Sequence, residues 1–173
     1  MKTLGTIAVL VAALGLSACS KTGADRFGAD GGAGAGAGYG AGANGAYGDP
    51  SSPAYFQQAV GDRVLFLVDQ SSLTATAQET LYKQAQWLLT NSDYKAVIEG
   101  HADEQGTREY NIALGARRAT AVRDFLISQG VPATRLETVS YGKERPIAVC
   151  SSEDCYSQNR RAVTVISGSA FSS

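Results

Sequence analysis

Between Asp62 and Ile166 the apolar positions change period four times, and the changes mark out the elements. Val64 to Val68 is a short apolar, β-prone run bounded by polar residues, which predicts a buried strand. The period then becomes helical. Leu81, Ala85, Leu88 and Leu89 fall on one side, Thr74 or Thr76 is placed to cap the start, and Thr76-Ala77-Gln78-Glu79 fits a capping box. Asn91 to Asp93 stops this helix, and Tyr94 to Ala102 reads as a second strand. Thr107 caps a long second helix with Leu114, Arg118, Val122 and Phe125 on its inner stripe, ending at Gly130 with Pro132 just beyond. Arg135 to Tyr141 and Arg161 to Ile166 read as the third and fourth strands. The order βαβαββ predicts an α/β (α+β) sandwich, two main helices packed on a mixed sheet of about four strands.

The flanks follow other rules. Lys2 precedes an apolar run, Leu4 to Leu16, too short to span a bilayer and suited to a secretory signal. It ends in Leu16-Ser17-Ala18-Cys19, which resembles a bacterial lipobox; cleavage after Ala18 by ordinary signal peptidase also fits these small residues. Lipidation of Cys19 with more than one acyl chain would give a stable anchor, and Ser20, where inner-membrane lipoproteins often carry Asp, favours the outer membrane. From Lys21 to about Pro53 the chain is dominated by Gly and Ala and cannot bury enough apolar surface to order itself. As a tether it has a root-mean-square span of about 35 Å and an extended limit of roughly 120 Å. Its Gly40-Ala41-Gly42-Ala43-Asn44-Gly45 matches G-x-G-x-x-G, but no strand precedes it and no helix follows, so repetitive composition accounts for it. The predicted organisation is a signal peptide over 1–18, a lipidated tether over 19–53 and a folded domain over 54–173.

Composition narrows the chemistry. Removing residues 1–18 takes away Lys2 alone, leaving 14 basic against 16 acidic residues, and nothing in that balance points to nucleic acid. With Cys19 committed to lipid, Cys150 and Cys155 remain as an even pair in an oxidising compartment, which predicts a local disulfide contributing about 2 kcal/mol. Zinc is the rival reading, but these two cysteines and the single His101 fall short of a ligand set. Glu99, His101 and Asp103 alternate onto one strand face, as an acid/base site or as a polar cluster at the sheet end. The chain has no G-x-S-x-G and no H-E-x-x-H.

Arg118 is the sharper signal. A guanidinium on an apolar stripe is expensive to bury unless an anion meets it, and Asp103 is the nearest candidate. Asn111, Gly115 and Arg118 fall near one line beside Leu114, and Gly115 leaves a gap in which a small polar pocket could form. Asp103 and Arg118 facing one cavity would complement a zwitterion, the carboxylate taking an ammonium and the guanidinium a carboxylate. The same spacing also fits a bare salt bridge.

The run from Gly100 to Ala119 (GHADEQGTREYNIALGARRA), Gly130-Val131-Pro132, Ser140 to Pro146 (SYGKERP) and Asn159 to Val163 (NRRAV) together resemble the OmpA-like peptidoglycan-binding family. Behind a lipobox, the set is similar to the peptidoglycan-associated lipoproteins. The resemblance implies a non-enzymatic domain without cofactor that binds meso-diaminopimelate of the peptidoglycan stem. It also implies a Tol-Pal role, with TolB as partner, in linking the outer membrane to the wall and in its invagination at division. It places the ligand-gripping residues at Asp103, Asn111 and Arg118, with Phe66, Asp69 and Leu114 around them. The family's usual first acid after Phe66 is replaced by Leu67, and Gln105 stands for a common arginine. Two other readings remain: a peptidoglycan hydrolase or amidase using Glu99, His101 and Asp103, and an OmpA-like lipoprotein outside the Tol system.

Overall fold

A computed structural model describes residues 48–168; the signal sequence, Cys19 and the tether up to residue 47 lie outside the described residues. Four strands, β1 (Arg63–Leu65), β2 (Lys95–His101), β3 (Leu136–Gly142) and β4 (Arg161–Ser167), form one sheet in the order β1-β4-β2-β3. β4 runs antiparallel to both β1 and β2, while β2 and β3 are parallel. A parallel neighbour needs a crossover, and the helix Arg108–Ser128 supplies it. In chain order the helices are α1 (Pro53–Tyr55), α2 (Ala75–Thr90), α3 (Arg108–Ser128) and α4 (Glu153–Asn159). The mixed four-stranded sheet and the two long helices are as the periodicity predicts.

The core lies between the sheet and α2/α3, with Ala96 and Ile98 of β2, Leu81, Ala85 and Leu88 of α2, and Ala119, Val122 and Leu126 of α3 all buried. Leu89, expected on the buried side of α2, is 40% exposed; at helical spacing the inward position goes to Leu88. Likewise Leu126 is fully buried on α3, while Phe125 packs against the core only in part. The N-cap of α2 is Thr74, whose hydroxyl accepts from Ala77 N at 3.2 Å; Thr76 therefore lies inside the helix and caps nothing.

Folding also begins earlier than the pattern shows. A π-helical turn, Phe56–Gly61, continues α1 and buries Phe56 against Trp87, and Trp87 Nε1 donates to Pro50 O at 2.8 Å. β1 is shorter than the predicted Val64 to Val68, because Leu67 and Val68 are more than half exposed in a turn. In that turn Asp69 adopts φ 55°, a left-handed conformation that Asp tolerates better than most side chains. The turn is closed by Gln70 N donating to Leu67 O at 3.2 Å, and Arg118 donates to the carbonyls of Leu67 and Gln70.

Gly115 has a different purpose from the expected pocket gap. A Cβ there would meet Ser140 Oγ and lie 2.8 Å from Gly100 O. The missing side chain lets α3 sit directly on β2, and the backbone fills the space.

Candidate functional site

The candidate residues gather at one end of the sheet, where the turn after β1, the loop after β2 and the first turns of α3 meet. Thr107 caps α3 by accepting from Tyr110 N at 3.2 Å, and this start places Asn111, Leu114 and Arg118 on successive inner positions. Asn111 is buried and its Nδ2 donates to Gln105 O at 2.7 Å, fixing the loop Asp103 to Gly106 against the helix. Lys143 Nζ holds the same loop from outside, donating to Gly106 O at 2.7 Å. Leu114 and Ala102 are buried here, apart from the main core cluster.

Arg118 has no exposed surface. Its Nε donates to Gln70 O at 2.8 Å, Nη1 to His101 O at 2.8 Å and Nη2 to Leu67 O at 3.1 Å, and its guanidinium carbon lies 5.2 Å from the centre of the Phe66 ring. Among the described residues no carboxylate bonds to it, so the expected Asp103 to Arg118 salt bridge does not form. Burial pulls its pKa down to about 10, opposed by the nearby charge of Asp103, so it remains a cation at neutral pH. Arg135 makes a similar arrangement with Tyr94 O, Leu88 O and Asn91 O, around the C-terminal end of α2 where helical carbonyls lack partners. Arg118 instead carries its charge fully inside the protein, bonded only to neutral acceptors.

Asp103 is taken by a residue that the pattern did not single out. Its Oδ2 accepts from Arg160 Nη1 at 3.1 Å and its Oδ1 from Gln105 N at 3.2 Å. Arg160 is itself buried, bonds to Phe66 O through Nε at 3.3 Å, and pairs on its other side with Glu153 of α4. The two acids hold the Arg160 pKa up, Glu153 most strongly. The motif Asn159-Arg160-Arg161 was the available signal, but its spacing carries no hint of which strand or loop it meets. Asn159 is fully buried, accepts from Ile147 N and Ala148 N, and donates to Glu104 Oε1 at 3.0 Å, so it binds this corner together.

Asp69 lies at the rim, where its Oδ1 accepts from Tyr110 Oη at 3.2 Å. Leu67, standing where the resemblance expects an acid, has its apolar side chain more than half exposed, and its carbonyl accepts from Arg118 Nη2. Cys150 and Cys155 are joined in a disulfide across the start of α4.

The Glu99, His101 and Asp103 set does not converge. Asp103 lies past the end of β2 and faces Arg160, leaving only Glu99 near the imidazole, with Oε2 at 3.5 Å from Nε2. His101 is buried beside Tyr141, and burial, with Arg161 and Arg145 adding to it, lowers its pKa to about 4. An enclosed imidazole tuned so low is a poor general base near neutrality.

Comparison with known proteins gives a consistent picture. Residues 65–160 match the OmpA family. A peptidoglycan-associated lipoprotein of Agrobacterium fabrum is 60% identical over 122 residues, covering 70% of this chain and 69% of that protein. Another, from Pseudomonas aeruginosa, is 51% identical over 96 residues, 56% of each chain. The crystal structure of the peptidoglycan-associated lipoprotein from Burkholderia pseudomallei has a TM-score of 0.63 at 38% identity, covering 67% of this chain and all of that one. The C-terminal domain of Helicobacter pylori MotB shares the fold, with a TM-score of 0.58 at 23% identity over 63% of this chain and 86% of that one.

Proposed function

This chain belongs to the OmpA family, among the peptidoglycan-associated lipoproteins, and from that membership we propose that it is an outer-membrane lipoprotein whose periplasmic domain binds peptidoglycan without chemical turnover. The segment 1–18 is its signal peptide, acyl chains on Cys19 hold the membrane, residues 20–53 are the tether, and the domain over 54–173 grips the stem peptide at a free zwitterionic end of diaminopimelate.

The observation that supports the site is the state of Arg118: a buried cation whose bonded partners are all neutral carbonyls. Such a charge stabilises an incoming carboxylate, since Coulombic attraction is stronger where water is excluded. Three of the five guanidinium hydrogens are engaged, leaving one on each Nη. Because Leu67 and Gln70 cover the group, a ligand carboxylate reaches it when the turn Leu67 to Gln70 lifts and exchanges its carbonyls for the stronger acceptor. Asp103, with Asp69 at the rim, receives the ammonium, while Phe66, Asn111 and Leu114 shape the floor and wall.

Affinity at one site need not be high, because many tethered copies facing a polymeric wall bind it multivalently. Membership of this group also supports a Tol-Pal role at the dividing envelope, with TolB competing for an overlapping surface. Simultaneous, undiminished binding of TolB and peptidoglycan fragments would exclude that overlap.

The test of the site is titration of the protein with a soluble diaminopimelate-containing muropeptide. Arg118→Ala and Asp103→Ala are each expected to weaken binding at least tenfold, about 1.4 kcal/mol. Undiminished binding by folded Arg118→Ala overturns the assignment, and release of soluble fragments from sacculi that His101→Ala abolishes would favour a hydrolase.

A further inference from the structure

Asp103 attracts a ligand ammonium only as far as its own neighbour, Arg160, is occupied elsewhere. Arg160 Nη1 bonds to Asp103 Oδ2 at 3.1 Å, and both Nη groups also meet Glu153. Glu153 therefore diverts part of the guanidinium charge from the pocket. Its side chain is 64% exposed and it opens α4, so the placement of that helix sets whether its two oxygens reach Arg160.

α4 is poorly equipped to hold itself. It has seven residues, Ser152 makes no side-chain cap, and Asn159 at its far end is the only residue it buries. Besides the bonds that Cys155 N and Tyr156 N donate to Ser152 O, its first turn is tied to the loop before it by the disulfide from Cys155, inside the helix, to Cys150. Cys150 is exposed and lines a cavity of about 150 Å³ with Glu104, Val149, Ser151 and Tyr156, so a small thiol can approach the sulfur.

We propose that the Cys150–Cys155 disulfide sets the ligand affinity of the Asp103 pocket, with Glu153 and Arg160 as the positioning residues that connect them; this rests on Asp103 being a peptidoglycan contact. On reduction the S–S bond breaks and each sulfur gains one electron and one proton from a dithiol, which closes to its own disulfide. The first turn of α4 loosens, Glu153 leaves Arg160, and the released guanidinium turns fully onto Asp103. The carboxylate is then neutralised by the protein's own cation, and the ligand ammonium loses its partner.

The experiment uses the full chain with Cys19→Ser, so that one thiol couple titrates, and a soluble diaminopimelate-containing muropeptide. The reduced protein is expected to bind at least threefold more weakly than the oxidised one. Glu153→Gln is expected to weaken the oxidised protein similarly, with little further loss on reduction, whereas Glu153→Asp retains part of the affinity. By reciprocity, saturating muropeptide moves the disulfide to a more negative potential, about 30 mV for a tenfold preference, a shift that a purely structural disulfide does not show. The Arg160 guanidinium N–H groups give a readout without ligand, exchanging with water faster in the reduced protein. Equal affinity in the two redox states, or unchanged Arg160 exchange, overturns the proposal. Failure of the oxidised protein to bind, with Arg160 exchange still responding to reduction, overturns instead the reading of Asp103 as a peptidoglycan contact.

Discussion

The carboxylate of Asp103 lies 3.1 Å from Arg160 Nη1, while Arg118, the cation that sequence spacing sets beside it, donates only to backbone carbonyls. Two arginines thus divide two tasks. Arg160 orients the carboxylate, and Arg118, a fully buried cation, holds the carbonyls of Leu67, Gln70 and His101. Replacing Asp103 by Asn removes the charge at nearly unchanged shape, and its one amide oxygen keeps the bond from Arg160 or the bond from Gln105 N, which in the wild type go to separate oxygens. Muropeptide affinity of Asp103→Asn is expected to fall at least tenfold. Its stability in urea should fall by only about 1 kcal/mol, because Arg160 keeps Glu153 and is not stranded. A loss of the 3 to 5 kcal/mol characteristic of a stranded buried charge would show that Glu153 does not share that charge.

Arg118 offers the complementary separation. Lysine keeps a cation but presents a single ammonium that cannot reach three carbonyls in the planar fork that the guanidinium fills. Arg118→Lys is therefore expected to cost about 2 kcal/mol of stability yet to bind muropeptide better than Arg118→Met, which has no charge. Denaturant unfolding and ligand titration of the two variants check this. Equal binding by both would mean that Arg118 serves only to hold the turn Leu67 to Gln70.

What was legible in the sequence followed from period and from local chemistry. The long helices were readable because α2 and α3 show several turns of inward apolar spacing, and Arg118 stood out because it interrupts such a stripe. Arg160 was not readable: its partners Phe66 and Asp103 lie 94 and 57 positions away, and α4, which supplies Glu153, buries a single residue and so has no apolar stripe. Leu67 appeared as a missing acid, whereas its working group is a carbonyl, which every residue carries. An absent side chain at Gly115 says that something comes close, without naming Gly100 and Ser140 as what does.

That close approach makes Gly115 a sensitive position. Alanine would place a Cβ against Ser140 Oγ and 2.8 Å from Gly100 O, and the backbone oxygen cannot swing aside as a side-chain end can. Gly115→Ala is expected to destabilise the domain by about 2 to 3 kcal/mol, in the range of an overpacked core. Adding Ser140→Ala should recover only part of this, since the clash with Gly100 remains and the bond from Ser140 Oγ to Ile112 O is lost. Had Gly115 lined an open pocket, alanine would alter ligand binding and leave urea stability unchanged.

His101 gives the domain a pH dependence of known sign. Buried and facing Arg161 and Arg145, it has its pKa lowered from 6.5 to about 4 in the folded protein. Between these values the unfolded chain takes up a proton that the folded protein refuses, so stability is full above pH 6.5 and falls as the pH drops toward 4. From pH 6.5 to 5 the contribution is about 2 kcal/mol, at 1.36 kcal/mol per pKa unit. Most carboxylates have not yet titrated in that window. Glutamine at this position has no proton to gain. Urea unfolding at pH 7 and pH 5 is therefore expected to show the wild-type protein losing about 2 kcal/mol more than His101→Gln. A parallel loss in both proteins would mean that the imidazole is protonated in the folded state with Glu99 as its counter-ion, and the distance of 3.5 Å between them would then describe a true ion pair.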